Sequence, residues 1–485
     1  MKKTASLAVA IIVAAMLFLT ACGGGGNGGD NTKVYITIAD RPANLNGVNS
    51  FIVDRQDEFD RLYGDKIVVN HIQDPLQGGN SDIEGFQDII NVLTPVNAPT
   101  ILPVQGNNTI RTLAQTGLIK SWSGVIDEWD EFDDMDEGAL DSVTVGGEIM
   151  AFPYSIDVPL LGFSIKVLKQ LAIREYPDNE YPDVSERNAL RAAFEQQLTE
   201  EILDVDTWEK YREVALKLTT PQISGAGVWM SSYHLGFGVW NAANGWEIAE
   251  QNSDGSITLD YTADSVLETI EFIRTLREDG SYTLRVDEGL NGIFGQIFDD
   301  KVASFVFYPS WYASWFASSG FNRNDIITIP YPKGPNAVAK GVENTNLVFS
   351  SGYVLSKHCT DEEAAAAQKY LEFMWGKEGW DERFAFAQEE NIADLLIPTL
   401  KTISTDAVYS NIPENWASAL VNGRNNGFYI TVNSEAYMTT LTTYLPQYAS
   451  LASYPTMQGV IASLQDRQQK AITENTIINY VAKQK

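Results

Sequence analysis

Short β-branched runs alternate along this chain with stretches whose apolar residues recur every three or four positions. Val34-Tyr35-Ile36-Thr37-Ile38, bounded by Asp40, reads as a first strand. Val48, Phe51, Ile52, Phe59 and Leu62 then fall on one helical face, and Gly64 closes that helix before a second strand at Ile67-Val68-Val69. Strand, helix and strand in succession predict an α/β fold with a parallel sheet. Further helices follow the same rules. Asp206 and Glu209 form a capping-box pair ahead of Trp208, Tyr211, Ala215 and Leu218. Val266, Leu267, Ile270, Ile273 and Leu276 make another stripe, closed by Gly280. Thr360 and Glu363 cap a third, with Ala367, Tyr370, Leu371 and Met374 inward and Gly376 at its end. The apolar runs Val302 to Phe307 and Ile326 to Ile329 predict buried strands, and there is no internal repeat.

One apolar run is of another kind. Lys2 and Lys3 precede Ala5 to Leu19, and the small residues Thr20 and Ala21 lead to Cys22, the layout of a secretory signal peptide over residues 1–21. Leu19-Thr20-Ala21-Cys22 resembles the lipobox of bacterial lipoproteins, which implies a diacylated Cys22 as the new N-terminus. Gly23 to Asn31 would be its flexible tether, so that residues 22–32 form the anchor segment. No other stretch approaches the length of a membrane span.

Removing the first 21 residues leaves 464, enough for a large two-lobed unit. The formal charge is −30, and loss of Lys2 and Lys3 makes it −32. That field disfavours nucleic acid, polyanions and anionic headgroups as partners, and favours neutral or cationic ligands. With Cys22 committed to lipid, Cys359 has no intramolecular partner and reads as a buried structural thiol. The acidic run Asp127 to Glu137 does not fit the spacing of an EF-hand loop and reads as a solvated acidic turn. The three histidines, His71, His234 and His358, form no zinc-binding pattern, so no metal and no cofactor is expected. No nucleophile elbow, phosphate loop or dinucleotide fingerprint occurs. A glycosidase needs only two carboxylates at the right separation, and 64 acidic residues leave that pair open.

Several segments, in order, resemble the extracellular solute-binding proteins of ABC importers, in particular the sugar-binding group. Asn97-Ala98-Pro99-Thr100-Ile101-Leu102 is similar to the group's "aPDv" strand, and Leu113 to Leu118 to the helix after it. Gly146 to Tyr154 resembles "nGkiyglPy", and Leu161 to Leu168 resembles "l.yNkdlf" with Ser164 in place of asparagine. Asp206 to Lys210 is close to "pTWdEl". Lys301 to Phe305, followed by Pro309-Ser310-Trp311, matches "GkaAm...GsW" with Asp300 in place of glycine. Gly352 to Ser356 and the helix after Thr360 complete the series. The resemblance implies a two-lobed periplasmic-binding-protein-like α/β fold, with three hinge crossings and a ligand cleft between the lobes. The crossings are expected near Pro153 to Asp157, Ile329 to Lys333 and Leu396 to Lys401. Residues 33–153 with 331–398 would then form lobe 1, and 154–330 with 399–485 lobe 2.

The same resemblance nominates ligand contacts. Trp311 matches a tryptophan that stacks on ligand rings, and Trp240 and Asn244 lie in a stretch that borders the cleft. Tyr154 and Asp157 fall at the expected first hinge, and Gln105, Asn107 and Asn108 at the carboxyl end of a strand, where α/β ligands bind. Tyr308 and Tyr353 each follow or occupy a strand. The reading is a monomeric, lipid-anchored binding subunit without catalytic residues, on the extracellular or periplasmic face of the cell membrane. It would capture a carbohydrate and deliver it to ABC permease subunits. A surface glycan-degrading enzyme and a sensor subunit for a membrane kinase are the alternatives.

Overall fold

The computed structural model describes residues 33–40, 49–73, 83–104, 106–228, 236–251, 257–283, 295–297, 299–309, 322–390, 396–403, 412–429 and 444–474. The expected signal peptide, lipidated Cys22 and tether of residues 1–32 lie outside them.

The strands in chain order are β1 (Val34–Asp40), β2 (Ile67–Gln73), β3 (Ile101–Val104), β4 (Ile119–Lys120), β5 (Phe152–Asp157) and β6 (Leu160–Ser164). Then come β7 (Ser224–Gly227), β8 (Val302–Phe307), β9 (Ile326–Ile329), β10 (Asn346–Ser356), β11 (Ile397–Pro398) and β12 (Gly427–Tyr429). The helices used below are α1 (Asn49–Tyr63), α2 (Ile83–Leu93), α3 (Asn107–Thr116), α4 (Glu137–Val143), α5 (Ile165–Glu175), α6 (Val184–Leu203) and α7 (Trp208–Leu218). They continue with α8 (Phe237–Ala243), α9 (Asp264–Glu278), α10 (Pro335–Lys340), α11 (Asp361–Trp375), α12 (Lys377–Glu389), α13 (Glu414–Asn425) and α14 (Met457–Glu474).

Two sheets carry the architecture. The first runs β11-β5-β10-β3-β1-β2, with β4 and β12 also pairing to β10. The second runs β9-β6-β8-β7. Core contacts on both sides of β8 show why its sequence is apolar except for Ser304, whose hydroxyl is bonded to Tyr211 and the Gly225 carbonyl. Val302, Phe305 and Phe307 enter the core beneath α13, whereas Ala303 and Val306 enter the core beneath α7, α8 and α9. A sheet covered on both faces leaves no polar side in its strands. β10 plays the same part between lobes. All of its 11 residues are buried, with Leu347 and Phe349 facing the second sheet's core and Val348, Tyr353 and Leu355 facing the first's.

Hydrogen bonds move each expected crossing a few residues on. β5 belongs wholly to the first sheet, with Asp157 paired to Phe349, so the first crossing is Val158–Pro159 rather than Pro153 to Asp157. Lys333 exchanges backbone bonds with Asp206 and Trp208, and Gly334 donates to Ala243. The second crossing therefore follows Val342, not Ile329 to Lys333. Asp136 donates to Thr399 and Lys401 to Asp134, which holds the expected third crossing against the first sheet. α13, by contrast, lies on the second sheet, where Trp416 bonds to the Ile326 carbonyl.

Two local readings also change. The N-cap of α7 is Thr207, whose hydroxyl accepts from the Lys210 amide, while Asp206 pairs with the Lys210 ammonium. The acidic run is largely solvated, with Asp127, Glu128, Asp130, Asp133 and Glu137 exposed, but its other three acids bind distant or helical amides. Glu131 accepts from the Lys377 amide at the start of α12, Asp134 from Thr402, and Asp136 caps α4 through the Ala139 amide. The Thr360–Glu363 capping box forms with both of its hydrogen bonds.

Candidate functional site

The strand directions locate the site. β1, β2, β3 and β5 point the same way, so Asp40, Gln73, Val104 and Asp157 end on one edge of the first sheet. β7, β8 and β9 likewise end on one edge of the second, where β6 begins. Val158 and Pro159 join the end of β5 to the start of β6. The carboxyl edges of both sheets therefore meet at this link, the position at which open α/β sheets bind ligands.

Three of the nominated residues converge there. Asp157 closes β5 half-buried, opposite Phe349. The Phe349 ring stands edge-on to Tyr308, with centroids 6.0 Å apart, and Tyr308 follows the last residue of β8. Both rings are buried, at 4% exposure each, in the second sheet's core, so that half-buried Asp157 lies at the edge with the Phe349–Tyr308 pair behind it. Asn107 opens α3 on the neighbouring strand end, after Gly106 at φ 80°, and no side chain caps that helix. Phe349 escaped the motif reading; the alternation within β10 is the signal that could have found it.

Tyr154 and Tyr353 sit deeper. The β5–β10 register shifts between Ser351 and Gly352, which leaves Tyr154 as the extra residue of a β-bulge. Its ring lies 5.1 Å from Tyr353 and 4.6 Å from Trp375, on the core side of the first sheet. The Tyr353 carbonyl accepts from the Trp122 indole at 2.8 Å.

Trp240 and Asn244 take up structural positions. Trp240 is fully buried, with ring centroids of Tyr211, Tyr331, Phe272 and Trp208 at 5.0, 5.4, 5.5 and 5.9 Å. Asn244 spends its amide within one lobe. Its Nδ2 donates to Glu268 at 2.9 Å and to the Ser265 carbonyl at 3.3 Å, and its Oδ1 accepts from the Asn336 amide at 2.9 Å. This side chain ties α8 to α9 and caps α10. Trp311 and Gln105 lie outside the described residues, as does the side chain of Asn108.

No group of three or more metal-ligating side chains occurs among the described residues. Cys359 is buried, and burial pushes its thiol up to about 12, far from a reactive thiolate. Among the described residues no helix is long and apolar enough to cross a membrane.

No curated protein matches the chain by sequence. Solved structures share its fold at low identity. The GacH receptor of Streptomyces glaucescens, described unliganded and with acarbose, superposes with a TM-score of 0.63 at 13% identity, covering 91% of this chain and 99% of its own. An ABC-transporter solute-binding protein of Thermotoga lettingae, bound with α-D-tagatose, gives 0.64 at 13% identity over 90% and 99%. The maltotriose-binding protein of Thermus thermophilus gives 0.59 at 16% identity over 90% and 100%. These likenesses show the two-lobed fold. The model of the bacterial extracellular solute-binding protein family matches residues 84–415. The chain therefore belongs to the bacterial extracellular solute-binding proteins, a family of binding proteins and not of enzymes.

Proposed function

We propose that this protein is the sugar-capturing subunit of an ABC importer, held at the membrane by lipid on Cys22. The meeting of the two sheet edges at Val158–Pro159, with Asp157 half-buried there and the Phe349 and Tyr308 rings packed behind it, carries this reading. Sugars present apolar C–H faces ringed by hydroxyls, so rings supply the flat contact and a carboxylate accepts from the hydroxyls. The bound acarbose, α-D-tagatose and maltotriose of the similar structures support the same ligand class. Gln105, Asn107, Asn108 and Trp311 belong to segments that leave these strand ends and would complete the contacts; Tyr154 and Tyr353 would support them from below. Contacts from both lobes stabilise the closed arrangement, which the permease subunits distinguish from the empty one.

The test is calorimetric titration of residues 33–485 with mono- and oligosaccharides. Saturable heat with at least one sugar, weakened at least tenfold by Asp157→Ala, is the expected result. Absence of heat with every sugar removes the carbohydrate assignment. The anchor is tested separately: Cys22→Ser should move the protein from the membrane fraction to the medium or periplasm.

A further inference from the structure

The segment from α13 to β12 touches both lobes and both described crossing strands, and no ligand contact accounts for it. On one side, Trp416 Nε1 donates to the Ile326 carbonyl at 3.0 Å and Asn415 donates to Thr328 Oγ1 at 3.4 Å, which fixes α13 to β9 of the second sheet. On the other, the Tyr429 hydroxyl hydrogen-bonds to Asp136, and Arg424 Nη2 stands 3.8 Å from the same carboxylate. Asp136 caps α4, and α4 belongs to the first lobe, where Arg111 of α3 donates to the Asp141 carbonyl at 3.3 Å.

Glycines let the segment approach closely. A Cβ on Gly423 would stand 2.4 Å from Val158 Cγ1, in the first crossing. One on Gly427 would stand 2.6 Å from Val348 Cγ2, on β10, and one on Gly138 would stand 2.7 Å from the Tyr429 ring. These neighbours are stiff valines and a ring held by pairing, so no side chain fits without moving a crossing strand.

We propose that the α13–β12 segment is a clasp across the hinge, and that the Asp136–Tyr429–Arg424 contact sets the balance between lobe arrangements without touching ligand. The carboxylate is three-quarters buried and is shared by an amide, a phenol and a guanidinium, so its partners have no equivalent substitutes in water. Rotation of one lobe relative to the other would separate Asp136 from Arg424, because α13 is fixed to the second sheet, whereas Tyr429 lies on β12, pairs with Val348 of β10 and holds the carboxylate from the first sheet's side. The lobe arrangement that keeps the contact gains its free energy, and the other loses it. The proposal rests on the two-lobed fold and holds whatever the solute is.

Electron–electron distance measurements test it with no ligand present. Spin labels on Asp57→Cys of α1 and Lys169→Cys of α5, both exposed, report lobe separation in a Cys359→Ser background. Arg424→Gln should change the ratio of lobe separations by about three- to fivefold; Tyr429→Phe, which loosens the same carboxylate from within the first sheet, should change it in the same direction by about twofold, and the double variant by little more than Arg424→Gln alone. Gly423→Ala should shift the same distribution by wedging Val158. If all three variants leave the distribution unchanged, including variants that lower the melting temperature, the contact is packing alone and the clasp is overturned. Should one variant fail to fold, the other two decide the outcome by the same readout.

Discussion

The two sheets share a parallel ladder and differ in how they are covered. Every residue of the second sheet's four strands is buried, with helices on both faces. In the first sheet, α1 and α11 cover the face carrying Ile36 and Ile38, and α2 and α3 cover the opposite face at Ala39, Leu102 and Val104, but that face is left open at its outer end, where Tyr35 pairs with Val68. Tyr35 is 58% exposed and Ile72, on edge strand β2, 39%. A residue's contribution depends on what its removal leaves behind, so equal substitutions should cost unequal amounts in the two places.

The largest effect is expected at Trp240→Ala. Removing an indole packed by four rings should lower stability by about 3–5 kcal/mol in urea denaturation. A loss below about 1 kcal/mol would mean that the ring has an open side, which would return Trp240 to the ligand site. Next comes Asn244→Ala, which removes one of the two acceptors of the Asn336 amide and one donor to Glu268, while those two groups keep each other, and should cost about 1–2 kcal/mol. Sugar affinity measured by calorimetry should stay within about twofold, provided the variant is folded at the temperature used.

A third substitution sharpens the comparison in the opposite direction. Asp300, preceding β8, has φ 56°, a conformation that favours glycine, and its buried Oδ1 has no hydrogen-bond partner. Desolvation raises its carboxyl above the ordinary value of 3.8, against the pull of Lys166 and with support from Asp325 and Asp299. Asp300→Gly should raise stability by about 1 kcal/mol at neutral pH by releasing backbone strain alone. The sign of the pH dependence follows from the raised value. The protonated acid fits the fold better, so Asp300 is least unfavourable below pH 3.8 and becomes more so as pH rises through its folded value. The gain from glycine should therefore narrow on acidification, and a gain that widens would contradict the desolvation argument. The smallest effect is expected at Tyr35→Thr, within about 0.5 kcal/mol, and a larger loss would show that the open face is covered in solution.

Much of the fold was legible in the sequence because its signals are local. The stripe from Val266 to Leu276, the Thr360–Glu363 box and the apolar runs of β8 and β9 declare themselves within one element, since periodicity and caps depend on near neighbours. The crossings were displaced for the converse reason. Whether Lys333 stays with one sheet or leaves it is decided by the carbonyl of Asp206, more than a hundred residues away. Asp127 to Glu137 was read in part for the same reason: most of its carboxylates are exposed as expected, but Glu131 and Asp134 find distant amides at Lys377 and Thr402 that composition does not foretell.

The candidate site divides along this line. The positions of Asp157 and Tyr308 in the fold were readable because one ends and the other follows a strand whose extent the sequence marks. Trp240 and Asn244 were misplaced because a tryptophan or an asparagine has the same local signature beside a cleft as in a core. By itself, the sequence determined the alternation of strands and helices, the helix caps, the acidic charge and the resemblance to a solute-binding family. Only the tertiary structure decided that Phe349 joins Asp157 to Tyr308, that Asn244 is consumed by a cap and that α13 to β12 spans both lobes. Each of those outcomes depends on which groups from remote segments meet, and contact between remote segments exists only once the chain is folded.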